Sequence, residues 1–259
     1  MKFSIITVSF NSEKTIERTI QSVLAQTYTD LEYIIIDGAS QDGTINIVRK
    51  YEPAFYGRLK WISEPDNGIY DAMNKGIAMA KGEIIGIVNS DDWLEPESLK
   101  LVNNEMGKTN YDEVIYTGGI RYHYNDGSKQ VIRYAEKDLR YYASIYRLGI
   151  NHPATFVPLK VYKKYGVFDT QIKFQADSDL ICRFYYSGVP FIFIKSVLSN
   201  QSDGGVSAKG LKQSLVDYKY ILTKNLSNKY RICYFYYRYW LLFQLRKYTP
   251  SYILKLHRT

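Results

Sequence analysis

Within its first ninety residues the chain switches repeatedly between short β-branched runs and longer segments of helical periodicity. That alternation constrains the fold more than any other feature. Phe3-Ser4-Ile5-Ile6-Thr7-Val8-Ser9-Phe10 is too short and too branched for a buried helix and predicts a strand. Ile16, Ile20, Val23 and Leu24 then recur at helical spacing, behind Asn11 or Ser12 as candidate caps. Residues 31–37, 59–62 and 83–89 read as three further strands, with helices over about 43–51 and 69–80 between them. Such a series predicts an α/β fold, a mostly parallel sheet with helices on both faces, whose ligands bind beyond the carboxyl ends of the strands.

Those carboxyl ends are polar. The first strand ends at Ser9-Phe10-Asn11, the second at Asp37-Gly38 and the fourth at Asn89-Ser90-Asp91-Asp92, so three strands bring polar or acidic groups to one rim. Past residue 110 the pattern loosens. A strand over 113–118, a hairpin over 120–134 turning at 125–128, a helix over 177–187, a strand over 190–195 and a helix over 208–224 are predicted. Gly204-Gly205 marks a connecting loop. No Gly-x-Gly occurs, which removes the dinucleotide fingerprint. Gly107-Lys108-Thr109 lacks the first glycine of a phosphate loop, because Val102 stands there.

Composition narrows the class. With 259 residues, 46% hydrophobic and 23% charged, the chain is neither disordered nor fibrous. Two cysteines, Cys182 and Cys233, exclude a disulfide framework and favour a reducing compartment. No run of 18 apolar residues is present and the first residues lack a basic, apolar leader, so a cytoplasmic location is expected. The net charge of +8 is uneven: residues 228–259 hold seven basic groups and no acidic one, which leaves the body at 8 − 7 = +1. The same tail carries ten aromatic residues. On a helix, Tyr230, Tyr234, Tyr237, Leu241 and Leu245 share one side while Arg231, Arg238 and Arg246 share another. Two readings stand: peripheral attachment to an anionic bilayer, or packing on the body or on a second subunit as a homo-oligomer. No nucleic-acid reader motif accompanies the basic patch, so nucleic acid is not expected. The boundary between a body of residues 1–227 and a tail of 228–259 falls near 226–229.

Five blocks, in order and spacing, carry a resemblance. Ile5-Ile6-Thr7-Val8-Ser9-Phe10-Asn11, Ser22-Val23-Leu24-Ala25-Gln26-Thr27, Ile36-Asp37-Gly38-Ala39-Ser40-Gln41-Asp42-Gly43-Thr44, Lys81-Gly82-Glu83 and Asn89-Ser90-Asp91-Asp92 resemble the family 2 glycosyltransferases of GT-A (Rossmann-like) fold. The likeness is clear over about residues 1–100 and looser to about 207, through residues 151–156 and 176–180. The tail lies outside it.

The resemblance implies a nucleotide-sugar half over 1–110 and an acceptor half over 111–227. Val8, Ser9 and Phe10 would hold the nucleotide, with Asp37 accepting an N–H from the base. Ser90 and Asp91 would meet the donor, and Asp91 with Asp92 would hold Mn²⁺ or Mg²⁺ against the diphosphate. The family's common Asp-x-Asp reads Asn89-Ser90-Asp91 here, so the first acid is replaced. Asp71 and Lys75 are candidates for the sugar or phosphate, and His152 for the cleft where donor and acceptor meet. Asp177 would be the general base of an inverting transfer from a UDP-sugar, or a GDP- or TDP-sugar, to a glycan or lipid-linked hydroxyl in surface-polysaccharide synthesis at the inner membrane. Blander roles stay open: a helix cap for Asp37, a helix N-terminus for Asp177 and Asp179, and a loop anchor for His152. A nucleotidyltransferase of similar topology is a second reading, weakened by the poor phosphate loop at Asn11-Ser12-Glu13-Lys14. A membrane-bound scaffold without turnover is a third.

Overall fold

The computed structural model describes residues 2–109, 112–124, 130–134, 150–202 and 211–248. The turn expected at 125–128 and the Gly204-Gly205 loop lie outside the described residues. Four parallel strands open the chain: β1 (Phe3–Ser9), β2 (Leu31–Asp37), β3 (Leu59–Ser63) and β4 (Ile84–Ile87), in the spatial order β3-β2-β1-β4. They are joined by α1 (Ile16–Leu24), α2 (Thr44–Tyr51) and α3 (Ile69–Met79). After a two-residue β5 (Trp93–Leu94) and α4 (Ser98–Met106), the sheet continues through β6 (Ile115–His123), β7 (Val131–Arg133), β8 (Thr155–Pro158) and β9 (Phe191–Ser202). The connecting helices are α5 (Leu159–Tyr165), α6 (Ala176–Tyr186), α7 (Leu211–Asn225) and α8 (Lys229–Tyr248). β7 pairs antiparallel with β6, as the hairpin reading expects.

Strand alternation sorts the core onto two faces. Ile6, Val8, Ile34 and Ile36 point to the layer holding α3, α6 and α7, whereas Phe3, Ile5, Tyr33 and Ile35 point to that of α1, α2 and α4. Both faces are covered, so β1 and β2 are buried along their whole length, including the polar Ser4, Thr7, Ser9, Glu32 and Asp37. At Gly76 a Cβ would lie 2.5 Å from Cγ2 of Ile6, so the glycine lets α3 approach the sheet.

Three features escape the sequence pattern. β8 inserts antiparallel between β4 and β6 near the middle of the sheet, pairing Gly86 with Phe156 and Thr117 with Thr155. β5 closes the far edge against β9. β9 runs to Ser202, well past the expected 190–195, because it lies parallel to the whole of β6. No described helix is long and apolar enough to cross a membrane.

Residues 229–248 of the tail are helical and are not a detached element. Asn228 caps the helix, its Oδ1 accepting the N–H groups of Tyr230 and Arg231. The inner face of α8, Ile232, Phe235, Tyr236 and Tyr239, packs on the larger core. Tyr230, Tyr234, Tyr237 and Leu241 stand at 75%, 63%, 64% and 53% exposure on the outer face. The expected aromatic stripe is therefore exposed where described, and a second, unforeseen apolar face docks the helix.

Candidate active site

The rim beyond β1, β2 and β3 is built around one carboxylate. Register places Ser9 beside Asp37 and Asp37 beside Ser63. Asp37 is wholly buried and accepts four hydrogen bonds: from the hydroxyls of Ser9 (2.9 Å), Ser40 (2.5 Å) and Ser63 (2.7 Å), and from the Ser40 backbone N–H (2.9 Å). Four donors fill the acceptor capacity of a carboxylate. Asp37, expected to meet a base directly, instead locks three strand ends together. Strand alternation turns the Val8 side chain into the core at 5% exposure. Of the expected Val8–Phe10 segment only Phe10 is open, at 63%.

Phe10 stands over a floor made by Gly38. A Cβ on Gly38 would lie 2.6 Å from Asp66 Oδ2 and 3.4 Å from the Phe10 ring, so a side chain there would close the gap. Two non-glycine residues beside it take left-handed backbone, Asn11 (φ 48°) and Ala39 (φ 60°). Such conformations collect where a loop is held by its surroundings. Asn11 makes the turn into α1, and its Oδ1 accepts the Gln41 N–H, so it does not cap the helix as expected. The Ser12 hydroxyl joins that of Ser90 at 2.8 Å and ties this loop to the one after β4.

The loop after β4 carries the acidic pair. Asp92 is 1% exposed; its Oδ2 meets the Asn89 side-chain amide at 3.3 Å, while its Oδ1 and Asn89 Oδ1 have no partner. Burial pushes the Asp92 carboxyl well above its usual range, and the neighbouring charge of Asp91 adds to this. Asp91 is raised by burial too. Arg18 stacks on Trp93, 3.5 Å from the ring centroid, and donates to the Asp91 carbonyl and the Ser202 hydroxyl. Among the described residues no group of three His, Cys, Asp or Glu forms a ready cation cage. The unpartnered, buried oxygens beside Asp91 are nonetheless hard-cation donors, so the residues present fit a divalent ion that completes its shell with water or phosphate.

The third cluster lies on the adjoining rim. β8 runs antiparallel to β4, so His152, three residues before β8, lies toward the same end of the sheet as Asn89. Its imidazole packs edge-on to Phe168 at 5.6 Å, which in turn stacks on Tyr70 at 5.4 Å. Burial holds the His152 pKa down, opposed by the charge of Asp177. Asp177 is half-buried in the first turn of α6, its Oδ1 accepting the N–H of Ser178 at 2.8 Å. Burial raises the Tyr70 phenol well above its ordinary range; it faces Asp177 and the backbone N–H groups of Ala176 and Asp177. Asp179, by contrast, is an internal tie to Arg183 at 3.0 Å.

Asp71 and Lys75 are brought together rather than left open. Lys75 pairs with Glu64 at 2.8 Å and with Asp71 at 3.7 Å, and Asp71 accepts the Asn67 N–H. Residues the sequence reading passed over are Ser63, Asp66, Tyr70 and Arg18. Asp66 and Tyr70 lie in the segment of residues 64–75, the polar turn and helix that carry Asp71 and Lys75, whereas Ser63 and Arg18 lie outside it. A cleft of about 720 Å³ also opens at the opposite ends of the strands, near Lys2, Lys81 and Lys160. Two of those lysines are paired, with Glu83 and Asp112, and none of the acidic rim groups lines it.

The sequence profile described as "Glycosyl transferase family 2" matches residues 4–167, more than half of the chain. The chain belongs to that family. This glycosyltransferase is 33% identical over 183 residues to an uncharacterized glycosyltransferase of Mycobacterium tuberculosis, covering 70% of this chain and 67% of that one. It is 37% identical over 114 residues to the chondroitin synthase of Escherichia coli, covering 44% of this chain but only 16% of that much longer protein. In fold, the family 2 glycosyltransferase is similar to residues 1–349 of TarS from S. aureus (TM-score 0.70, 20% identity, 95% of this chain and 73% of that one). It is likewise similar to the mannosyltransferase PcManGT from Pyrobaculum calidifontis, solved with GDP-Man and Mn2+ (TM-score 0.64, 17% identity, 91% and 68%). Family membership sets aside the nucleotidyltransferase reading.

Proposed function

We propose that this chain is an inverting, metal-dependent transferase that moves a sugar from a nucleoside-diphosphate sugar, a UDP-sugar first, to a hydroxyl of a glycan or lipid-linked acceptor in surface-polysaccharide synthesis. The observation that carries the reading is the acidic pair, where Asp92 Oδ1 and the neighbouring Asn89 Oδ1 are buried without a partner, next to the adjoining rim that bears His152 and Asp177. Support for the donor class comes from the fold relatives, since TarS has been solved with UDP-GlcNAc and PcManGT with GDP-Man and Mn2+.

Phe10 packs against the base, and Asp37 acts through the loop it fixes. Asp66 lies at hand beside Gly38, with Ser90, Asp71 and Lys75 along the path to the sugar. Asp91 and Asp92 would hold Mn²⁺ or Mg²⁺, which when bound neutralises charge on the leaving diphosphate. Asp177 takes the proton of the acceptor hydroxyl as its oxygen attacks the anomeric carbon and the bond to the diphosphate breaks. With one of its oxygens held by the Ser178 N–H, the other is left for that proton. His152, kept neutral by its burial, borders the acceptor side. Attack opposite the leaving group inverts the anomeric centre and needs no covalent intermediate. The outer face of α8 rests on the cytoplasmic leaflet of the inner membrane, with Lys229 and Arg231 beside the exposed aromatics.

The test is donor hydrolysis over a panel of UDP-, GDP- and TDP-sugars with Mn²⁺, with nucleotide binding followed by calorimetry. Asp91→Asn is expected to weaken metal-dependent binding at least tenfold, and Asp177→Asn to spare binding while turnover falls about 10²–10⁴-fold. Turnover retained in Asp177→Asn would remove the base assignment. Absence of both binding and hydrolysis in the wild type would support the scaffold reading.

A further inference from the structure

We propose that the inner face of α8 is a positioning device for the base, so that Tyr239, with Gln175 and Asp217, fixes the backbone on which Asp177 is carried. This rests on the reading of Asp177 as base. The first turn of α6 has no side-chain cap; its N-cap residue, Gln175, points away from the helix. The segment is held from behind instead. Asp217 of α7, 2% exposed, accepts the backbone N–H of Lys173 at 3.1 Å and of Phe174 at 2.7 Å, and is itself steadied by Gln213 at 2.9 Å. Gln175, 8% exposed, donates through Nε2 to the Ser214 carbonyl at 2.8 Å and to the Tyr239 hydroxyl at 3.2 Å. Tyr239 is seated by the ring of Tyr218, 4.5 Å away. From the front, the Tyr70 phenol faces the N–H groups of Ala176 and Asp177. Residues 173–177 are thus gripped between α3 on one side and α7 and α8 on the other.

Docking of the tail does not require this arrangement. Phe235, Ile232 and Tyr236 already supply an apolar anchor, and burying a carboxylate and an amide costs free energy unless they are paired. The polar groups converge on one stretch of backbone, the one leading into Asp177. A base must lie within hydrogen-bond reach of the proton it removes, and a displacement of about 1 Å can lower a rate by about 10²-fold. The C-terminal helix is therefore needed for turnover even when no membrane is present.

The full chain, free of lipid, is assayed with whichever UDP-, GDP- or TDP-sugar the wild type hydrolyses, alongside hydrogen exchange of the amides of residues 173–178. Tyr239→Phe removes one hydroxyl and leaves the packing. It is expected to lower kcat roughly three- to tenfold with donor KM and melting temperature unchanged, and to speed exchange in that segment. Asp217→Asn is expected to lower kcat and speed exchange more strongly, with a drop in melting temperature as well, because an amide N–H₂ would face buried N–H donors. Cys233→Ser, exposed on the same helix, is expected to leave both readouts at wild-type values. Full kcat and unchanged exchange in Tyr239→Phe would overturn the proposal, as would a loss confined to KM. Should no donor be hydrolysed, exchange alone decides, faster exchange supporting the clamp and unchanged exchange refuting it. Retained turnover in Asp177→Asn would refute the base assignment instead, a separate result.

Discussion

At the scale of single residues, two carboxylates that look alike in the sequence do different work because of what surrounds them. Asp37 binds four protein donors, whereas Asp92 keeps an oxygen without a partner. Asp37→Asn would set an amide N–H₂ against donors, leaving buried groups unsatisfied. It is expected to cost about 2–4 kcal/mol of stability in chemical denaturation, with nucleotide affinity falling as the loop loosens. Glu32 shows the same logic away from the site. Burial raises its pKa, but the Lys60 ion pair and hydrogen bonds from Ser4 and the Lys81 N–H outweigh this and hold it below the usual 4.5. A lowered native pKa means stability that is present above about pH 4.5 and is lost as pH falls through the native value. Glu32→Gln is expected to be about 2 kcal/mol less stable than wild type at pH 7, with the gap closing as pH falls through the lowered native pKa; denaturant midpoints across that range check it.

Elements differ in how openly they announce themselves. α1, with Ile16, Ile20 and Val23 buried on one stripe, and β2, with its central run Tyr33-Ile34-Ile35-Ile36, follow their sequence periods. β8 has four residues and β5 two, too short for any period to register. Their partners in the sheet, not their own residues, make them strands. α8 lies between these cases: its helical period is legible, but two apolar faces on one helix leave open which one docks. Its N-terminus depends on Asn228. Asn228→Ala is expected to cost about 1 kcal/mol and to raise amide exchange over the first turn of α8, leaving α6 as it was.

Along the whole chain, net positive charge concentrates in residues 228–259, which carry seven of the eight excess charges, and the described part of that segment exposes Tyr230, Tyr234, Tyr237 and Trp240. Binding to vesicles containing anionic lipid is expected to weaken as salt rises from 50 to 300 mM, and to be nearly lost in Tyr234→Ser/Tyr237→Ser. Salt-independent binding, or none in the wild type, would return the outer face to a protein partner.

The sequence by itself determined the α/β layering, the parallel order of strands and helices in the first ninety residues, and the polar rim that places Phe10, Asp37 and Asp91 together. Those are local consequences, since period sets each element and strand ends deliver their next residues to one edge. Only the tertiary structure decided that Val8 faces the core, that Asp37 is saturated by Ser9, Ser40 and Ser63, and that Lys75 is paired with Glu64 and Asp71. It alone brought His152, Tyr70 and Tyr239 to the segment carrying Asp177. The reason is physical: a buried polar group must find its partners wherever the packed chain supplies them, and some of those partners, as Ser9 and Ser63 are for Asp37, come from distant strands.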